Sequence, residues 1–546
     1  MLKKQIWLAL AIIGVSYSTF SAAQPSDSPQ TLEQTLNTVT QTCAVTRADR
    51  LSEQSIAQLQ AFYQAVNHMP LWQDAAQREQ LAQLLTEMRY DGLEPKKYQL
   101  QRLAALGQPA EYEQHLCDEL YVSHGYLQAL QHLHNGVLNP DKVEPYWYEA
   151  ALAQPQAASV VELALAHVQN LPQAFAAARP QHRMYQTLRD TLKRSEVMTQ
   201  ADWGQVPLEG KSLREGVLDS RVPALHERLL LGGYLSTDSD ALLVEPDQVA
   251  ERIDPLLYNV DLVAAVKAFQ QDHYLEDDGI VGPATLREMN ISPEQRLQQV
   301  RVNLERLRWL DKQLEPTMLV VDIAGARLLY FRDGHIVWRT RTQVGTVRRQ
   351  TPLLKSRITH LTINPTWTVP PTILREDKIP AIQRDLGYLA RTNMRVLDFQ
   401  GNVLDPASIN WQSPQGIMLR QGPGPQNALG LVAIRFANPF SVYLHDTPSQ
   451  HLFGRSTRTV SSGCVRVEDA QKLVDQLLFD ASDAERARIV RIQASGKTQN
   501  VNLPKPVPVL LAYWTVEVDM DNRLRFRNDS YGNDAKIAAA LQAALR

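Results

Sequence analysis

The sequence predicts a multidomain α+β protein, on three observations. At 546 residues the chain is too long for one ordinary domain, and about three are expected. Apolar residues recur at helical spacing from Thr31 to about Lys312, and from Thr317 the period changes to two. Within the helical part, residues 212–290 stand apart as a compact unit punctuated by Gly232-Gly233 and Gly282-Pro283. The expected order is a helical scaffold, a small three-helix domain, and a mostly β domain that carries an insertion.

Lys3 and Lys4 precede an apolar run, Ile6 to Val15, that is too short to span a bilayer, and Ser21-Ala22-Ala23 supplies small residues for cleavage. A secretory signal peptide over residues 1–23 is therefore expected, with no membrane span in the mature chain and an oxidising exterior or periplasm as its location; an uncleaved signal acting as an anchor is the alternative. Residues 24–30 are rich in Pro and Ser and read as disordered. The scaffold follows over 31–211. Leu51, Ile56, Leu59, Tyr63 and Val66 trace one helix face, and Asn135-Gly136 with Asn139-Pro140 marks a turn. His132 and His134 sit two apart and face different sides of a helix, so no metal site is expected. The three cysteines, Cys43, Cys117 and Cys464, include no Cys-x-x-Cys pattern. Cys43 and Cys117 either pair, leaving Cys464 free, or are two buried thiols; sequence leaves both open.

In the small domain, Val222, Leu225, Leu229 and Leu230 form a first amphipathic helix that Gly232-Gly233 ends. Leu262, Val263, Val266 and Phe269 form a second, after a long spacer from Ser236 to Asp261. A third starts at Pro283, a permitted first-turn proline, and carries Leu286 and Met289. A long helix, about Pro293 to Lys312, lies in the 291–315 linker. Leu297, Val300, Leu304 and Leu307 give it one apolar stripe, which would seat the β domain on the scaffold.

The β domain is expected over 316–500. Met318–Asp322, Arg327–Arg332 and Ile336–Gln343 read as strands, with Asp333-Gly334 as a hairpin turn. Asn364-Pro365 and Val369-Pro370-Pro371 interrupt the pattern. The 372–430 insertion holds a helical piece, Ile379 to Arg391, and a Gly/Pro-rich piece, Arg420 to Gly430; it reads as a lid. Leu431–Phe436 and Ser441–His445 should pair across Asn438-Pro439. A helix from Glu468 to Phe479 would place Cys464 just before a helix N-terminus, where a thiolate is favoured. Beyond a Pro-broken stretch, Pro504 to Pro508, strands Val509–Val518 and Arg523–Arg527 flank Asp521-Asn522, and a helix spans Ala535–Leu545. Residues 501–546 are expected to complete the β domain.

The chemistry concentrates in Ser441 to Val467, SVYLHDTPSQHLFGRSTRTVSSGCVRV. Cys464 has the character of a nucleophile and His445 that of a general base that later returns its proton to a leaving amine. Gly463 permits close approach of backbone to a substrate carbonyl and an oxyanion contact nearby. Arg455, Arg458 and Arg466 add positive charge that favours a thiolate and draws a carboxylated substrate. Trp367 and Tyr443 offer flat apolar walls. The bland alternative is a packed thiol and a structural histidine.

This stretch resembles the catalytic signature of the L,D-transpeptidases, which place a strand His, a loop and then Ser/Thr-His-Gly-Cys. Here His445 and Cys464 lie 19 positions apart, and Ser462 stands where most members carry a second His. Ser-Ser-Gly-Cys is similar to the large periplasmic, multidomain branch. Ala265 to Gln270 and Asp278 to Thr285 are similar to the three-helix peptidoglycan-binding domain, and Asn303 to Leu310 resembles the branch's linker helix.

The resemblance implies Cys464 as nucleophile and His445 as base and leaves the orienting group open. Beside them Gly463 reads as the backbone position for close approach and an oxyanion contact, and Ser462, Tyr443, Trp367, Arg458 and Arg466 as substrate-binding residues. Asp446 points to the opposite strand face from His445, so a backbone carbonyl is the preferred partner of the second ring nitrogen. The implied reaction is 3→3 cross-linking of peptidoglycan stems through a thioacyl-enzyme, without metal or organic cofactor, and with carbapenem sensitivity. Peptidoglycan stem peptides are the implied partners, with peptidoglycan synthases as candidate partner enzymes. The net charge of −3 gives no reason to expect nucleic acid. L,D-carboxypeptidase activity, lipoprotein attachment and a non-catalytic wall-binding scaffold are the alternatives.

Overall fold

A computed structural model describes residues 31–43, 50–144, 147–149, 159–195, 203–236, 254–310, 314–519 and 523–545. The expected signal peptide, the segment 24–30, most of the spacer after Ser236, the end of the linker helix and the Asp521-Asn522 turn lie outside the described residues. Among the described residues, no helix is long and apolar enough to cross a membrane.

The protein is mixed helical and β in the expected order. The scaffold wraps around one helix, Tyr112–Asn135, whose Leu120, Tyr126 and Leu130 are fully buried. Shorter helices such as Glu53–Ala65 and Leu171–Ala178 pack on it, capped by Ser52 and Asn170. Cys43 and Cys117 form a disulfide, which closes the question left by the sequence. Gly136 ends the central helix at φ +84°, and a Cβ there would meet the Trp309 indole and the Glu305 carboxylate at under 3 Å. Glu305 accepts from the Val137 and Leu138 N–H groups, so the linker helix holds this turn.

The small domain has its three helices at Val222–Leu231, Val260–Asp272 and Pro283–Met289, around Leu225, Val266 and Met289. The linker helix, Pro293–Leu310, departs from a single apolar stripe because it is covered on several sides. Leu304 and Leu307 pack on Tyr185 and Leu188, while Val302 and Trp309 pack on Ile537 and Leu541 of the C-terminal helix, Asn533–Leu545. Its buried arginines are neutralised locally: Arg306 faces Glu144 and Asp534, and Arg308 faces Glu305.

The β domain is a sheet closed on itself. Its strands in chain order begin with a scaffold segment, β1 (Trp147–Glu149), then β2 (Met318–Asp322), β3 (Arg327–Arg332), β4 (His335–Gly345) and β5 (Leu353–Ile363). β6 (Trp367–Thr368) leads into the insertion, which contributes β7 (Met394–Leu397) and β8 (Met418–Gln421). Next come β9 (Val432–Phe436), β10 (Leu444–His445), β11 (Thr459–Ser461), β12 (Val465–Val467) and β13 (Gln499–Ala512). The order β5-β13-β2-β3-β4-β12-β10-β9 returns to β5 through the β5–β9 pairing, while β1 lies parallel to β5 and β11 parallel to β4. Inward side chains such as Val321, Leu328, Leu361, Ile434, Leu444 and Val465 fill the interior.

The prolines at 504–508 do not end a strand. β13 runs through Pro504 and Pro506 because its register against β5 slips between Asn502 and Val507, and Pro508 stands opposite Arg357 where the ladder has resumed. The insertion is ordered by a three-stranded sheet that it forms with β6, in the order β6-β8-β7, and by a core in which Ile382, Leu389, Val396 and Leu419 join Trp367. Beyond β13, a hairpin (Val516–Val518 with Leu524–Phe526) and the C-terminal helix pack on the linker helix.

Candidate active site

Strand alternation sorts the residues of the signature. Leu444 pairs with Ile434 and with Val465, and all three point into the closed sheet. The next positions therefore face outward: His445 sits between Ala433 on β9 and Arg466 on β12. The insertion covers this face. Between sheet and lid lies a cleft of about 860 Å³, lined by Cys464, His445, Tyr443, Ser462, Gly463, Arg466, Trp367 and Arg435 among others. Cysteine and histidine share one wall of it.

The turn before β12 is built by side chains. Ser461 Oγ donates to the Cys464 carbonyl at 2.5 Å and accepts from the Gly463 N–H at 3.1 Å. Thr351 Oγ1 donates to the Gly463 carbonyl at 2.9 Å. Tyr531, from the C-terminal segment, steadies Thr351 by accepting from its N–H at 3.2 Å. Gly463 adopts φ +110°, in the region that favours glycine; a Cβ would be 3.4 Å from the nearest atom, so conformation rather than space demands it.

Residues 316–504 match a family model described as "L,D-transpeptidase catalytic domain", 57–192 match a "Scaffold domain", and 251–289 match a "Putative peptidoglycan binding domain". This chain carries an L,D-transpeptidase catalytic domain. A curated Haemophilus influenzae protein named "Putative L,D-transpeptidase" is 36% identical over 259 residues, 47% of this chain and 51% of that one. The chain thus spans about half the length of that curated relative. Among solved structures, an L,D-transpeptidase from Mycobacterium smegmatis is 14% identical, with a TM-score of 0.18, over 36% of this chain and 58% of that one. Residues 123–326 of an L,D-transpeptidase from Xylanimonas cellulosilytica DSM 15894 are 17% identical, with a TM-score of 0.16, over 56% of this chain and 100% of that one. Similarity of that size carries no weight beside the family match.

Within the L,D-transpeptidase domain, Cys464 is the free cysteine and is half-buried. Its Sγ lies 3.9 Å from the Ser441 carbonyl and meets the main-chain N–H and the hydroxyl of Tyr443. Burial pushes the thiol up, and Tyr443, Arg435 and Arg466 oppose this without reversing it. His445 is 4% exposed, and its Nδ1–H donates to the Asp446 carbonyl at 2.5 Å. That fixes the tautomer and leaves Nε2 as the acceptor. Burial, then the Arg466 and Arg435 charges, hold the imidazole down to about 3, so it is neutral at rest. The expected thiolate beside a helix N-terminus is not what the fold builds: strand β12 follows Cys464, and the next helix begins at Ala470 after Asp469 in a left-handed conformation.

Other expectations also shift. The Gly463 N–H is taken by Ser461, so it does not face an oxyanion. Arg458 lies outside the cleft lining and donates to the carbonyls of Arg455, Gly325 and Ala326. Arg466 donates to Gln343 Oε1 at 3.1 Å and lines the cleft. Trp367 both lines the cleft and belongs to the lid core. Ser462 accepts from Arg349 at 3.0 Å, and the same guanidinium binds Glu376 and Asp377 of the lid. Sequence reading missed Arg349 and Arg435. Arg435 stood two residues beyond a strand position opposite His445, a signal that needed the β9–β10 register.

Proposed function

We propose that the chain is a peptidoglycan L,D-transpeptidase of the cell wall or periplasm that forms 3→3 cross-links. The observation that carries this is the gathering of Cys464, Tyr443 and a neutral, correctly tautomerised His445 on one wall of a lidded cleft, inside a matched transpeptidase domain. Cys464 attacks the carbonyl of the third stem residue, meso-diaminopimelate, as its proton passes to His445 Nε2. We assign the contacts to the developing oxyanion to the Cys464 N–H, the amide next to the one held by Ser461, and to the Tyr443 hydroxyl. His445 returns the proton to the nitrogen of D-alanine as the amide bond breaks, leaving a thioester on Cys464. The side-chain amine of a second stem's diaminopimelate then loses a proton to His445, attacks the thioester and expels the sulfur, to which His445 returns that proton, restoring the Cys464 thiol and the neutral imidazole.

A resting thiol and neutral imidazole suit this order of events, since a neutral base takes the proton at the moment of attack. The three-helix domain is the natural anchor on the glycan-peptide mesh. The test is product analysis on purified disaccharide-tetrapeptide: mass spectrometry should find a 3→3 dimer and one D-alanine released per cross-link. Release of D-alanine with tripeptide alone would instead make the enzyme a carboxypeptidase. Absence of any release would remove the acyl-transfer reading.

A further inference from the structure

Cations crowd the cleft. Arg348, Arg349, Lys378, Arg435 and Arg466 line it, against the single lining acid Asp377. Arg348 and Arg349 are paired with lid carboxylates, and Lys378 donates to the Tyr388 hydroxyl at 2.8 Å. Arg435 and Arg466 have no carboxylate partner among the described residues. Arg466 is held by an amide oxygen, with its buried Nε unpartnered. Arg435 reaches the Thr362 hydroxyl at 3.5 Å, and its guanidinium carbon lies 3.9 Å from the centre of the Tyr443 ring.

Elsewhere the fold answers its buried guanidinium groups with carboxylates, as Glu144 and Asp534 answer Arg306, or engages them with carbonyls, as at Arg458. A desolvated Arg466 and a half-buried Arg435 side by side next to a nucleophile are costly unless an anion joins them. A thiolate formed during turnover answers one of them, and it disappears on acylation. The second lacks a counter-charge from the protein. A guanidinium fork matches a carboxylate in geometry as well as charge. Arg435 also stands at the right distance. It shares the outer face with Ala433, the register partner of His445, and lies two residues along β9, about 7 Å at strand rise. A carboxylate on a residue adjoining the reacting carbonyl is displaced from it by about one residue length, ~4 Å, which leaves room for the ion-pair contact.

We infer that Arg435 binds a free carboxylate of the donor stem next to the amide that is cleaved. The inference rests on the acyl-transfer reading for its substrate. Two carboxylates have this chemistry: the terminal one on the leaving D-alanine and the side-chain one on diaminopimelate. If it is the former, a stem extended by one more residue lacks the group and is refused. If it is the latter, side-chain amidation of diaminopimelate switches the donor off.

The experiment compares three synthetic donors: the native tetrapeptide, its C-terminal carboxamide, and the tetrapeptide amidated on the diaminopimelate side chain. Each is followed by D-alanine or D-alaninamide release with wild type, Arg435→Gln and Arg435→Lys. Loss of the recognised carboxylate should lower kcat/KM about 10- to 100-fold for wild type. Arg435→Gln should lose the same factor on the native donor and lose nothing further on that one amide, while Arg435→Lys regains part of the discrimination. The donor that shows this non-additivity identifies the carboxylate. Equal discrimination by Arg435→Gln and wild type against both amides overturns the inference.

The wild-type comparison does not depend on any variant folding. Peptide binding to the Cys464→Ala protein, with and without Arg435→Gln, separates the two levels of the argument. Binding that ignores both Arg435 and amidation removes the inference while D-alanine release stands. Arg435-dependent binding without release by wild type removes the acyl-transfer reading and keeps carboxylate recognition.

Discussion

The resting state of the nucleophile is the feature most open to direct test. Burial raises the Cys464 thiol, and Tyr443, Arg435 and Arg466 only moderate this. A cysteine at its ordinary value is about 3% thiolate at pH 7, so Cys464 should hold less than that. His445 stays neutral down to about pH 3 and forms no imidazolium to stabilise a thiolate. The perturbation is pH, and the assay is alkylation by iodoacetamide without substrate. Cys43 and Cys117 are joined, so the readout comes from Cys464 alone. The rate should rise about tenfold per pH unit from 6 to 8 with no plateau. Arg435→Gln, which removes the first electrostatic influence holding the thiol down, should react more slowly still at each pH. A plateau between pH 6 and 8 at the full thiolate rate would refute the reasoning, because it would mean that a charged Cys464–His445 pair overcomes burial.

Two further outcomes follow from the scaffold and the buried histidines. The Cys43–Cys117 disulfide closes a loop of 74 residues, worth about 4 kcal/mol by the chain-entropy relation, so the Cys43→Ala/Cys117→Ala protein should unfold roughly 10 °C lower; an unchanged transition by differential scanning calorimetry would contradict this. His124 and His132 are held down to about 4 by burial, and His445 to about 3, so each takes up a proton on unfolding before it does in the folded protein. Their contribution is present above pH 6.5 and falls as the pH drops from there toward 4, by up to about 1.4 kcal/mol per pH unit for each; urea midpoints that stay flat from pH 7 to 4.5 would count against it.

Much of the architecture was legible because local patterns and tertiary packing agree. The change of period near Thr317, the Asp333-Gly334 turn and the three helices of the small domain all appear where the residues indicate. The His445 and Cys464 signature was legible for a different reason: residue order is kept across a loop, and the two strands that flank it sit side by side. The parts that were missed depend on long-range pairing. β5 carries Lys355, Ser356 and Arg357 in succession, then Thr359 and His360, and has no sustained two-residue period. β13 contains three prolines, and nothing local announces that its register slips there. β1 is a three-residue segment of a helical region, made a strand by the edge of β5. Arg458 and Arg466 look alike in sequence, eight residues apart; the sheet turns one toward the carbonyls of the β2–β3 loop and the other toward the cleft. The Gly463 amide looked free because Ser461 closes its bond through a turn that residue order does not show.

The most direct measurement is intact-protein and peptide mass spectrometry after rapid mixing with the tetrapeptide donor. A thioester adduct should appear on the peptide that contains Cys464, in step with one D-alanine released per chain, and Cys464→Ala should yield neither. D-alanine release that persists in Cys464→Ala, or an adduct on any other residue, would contradict the account.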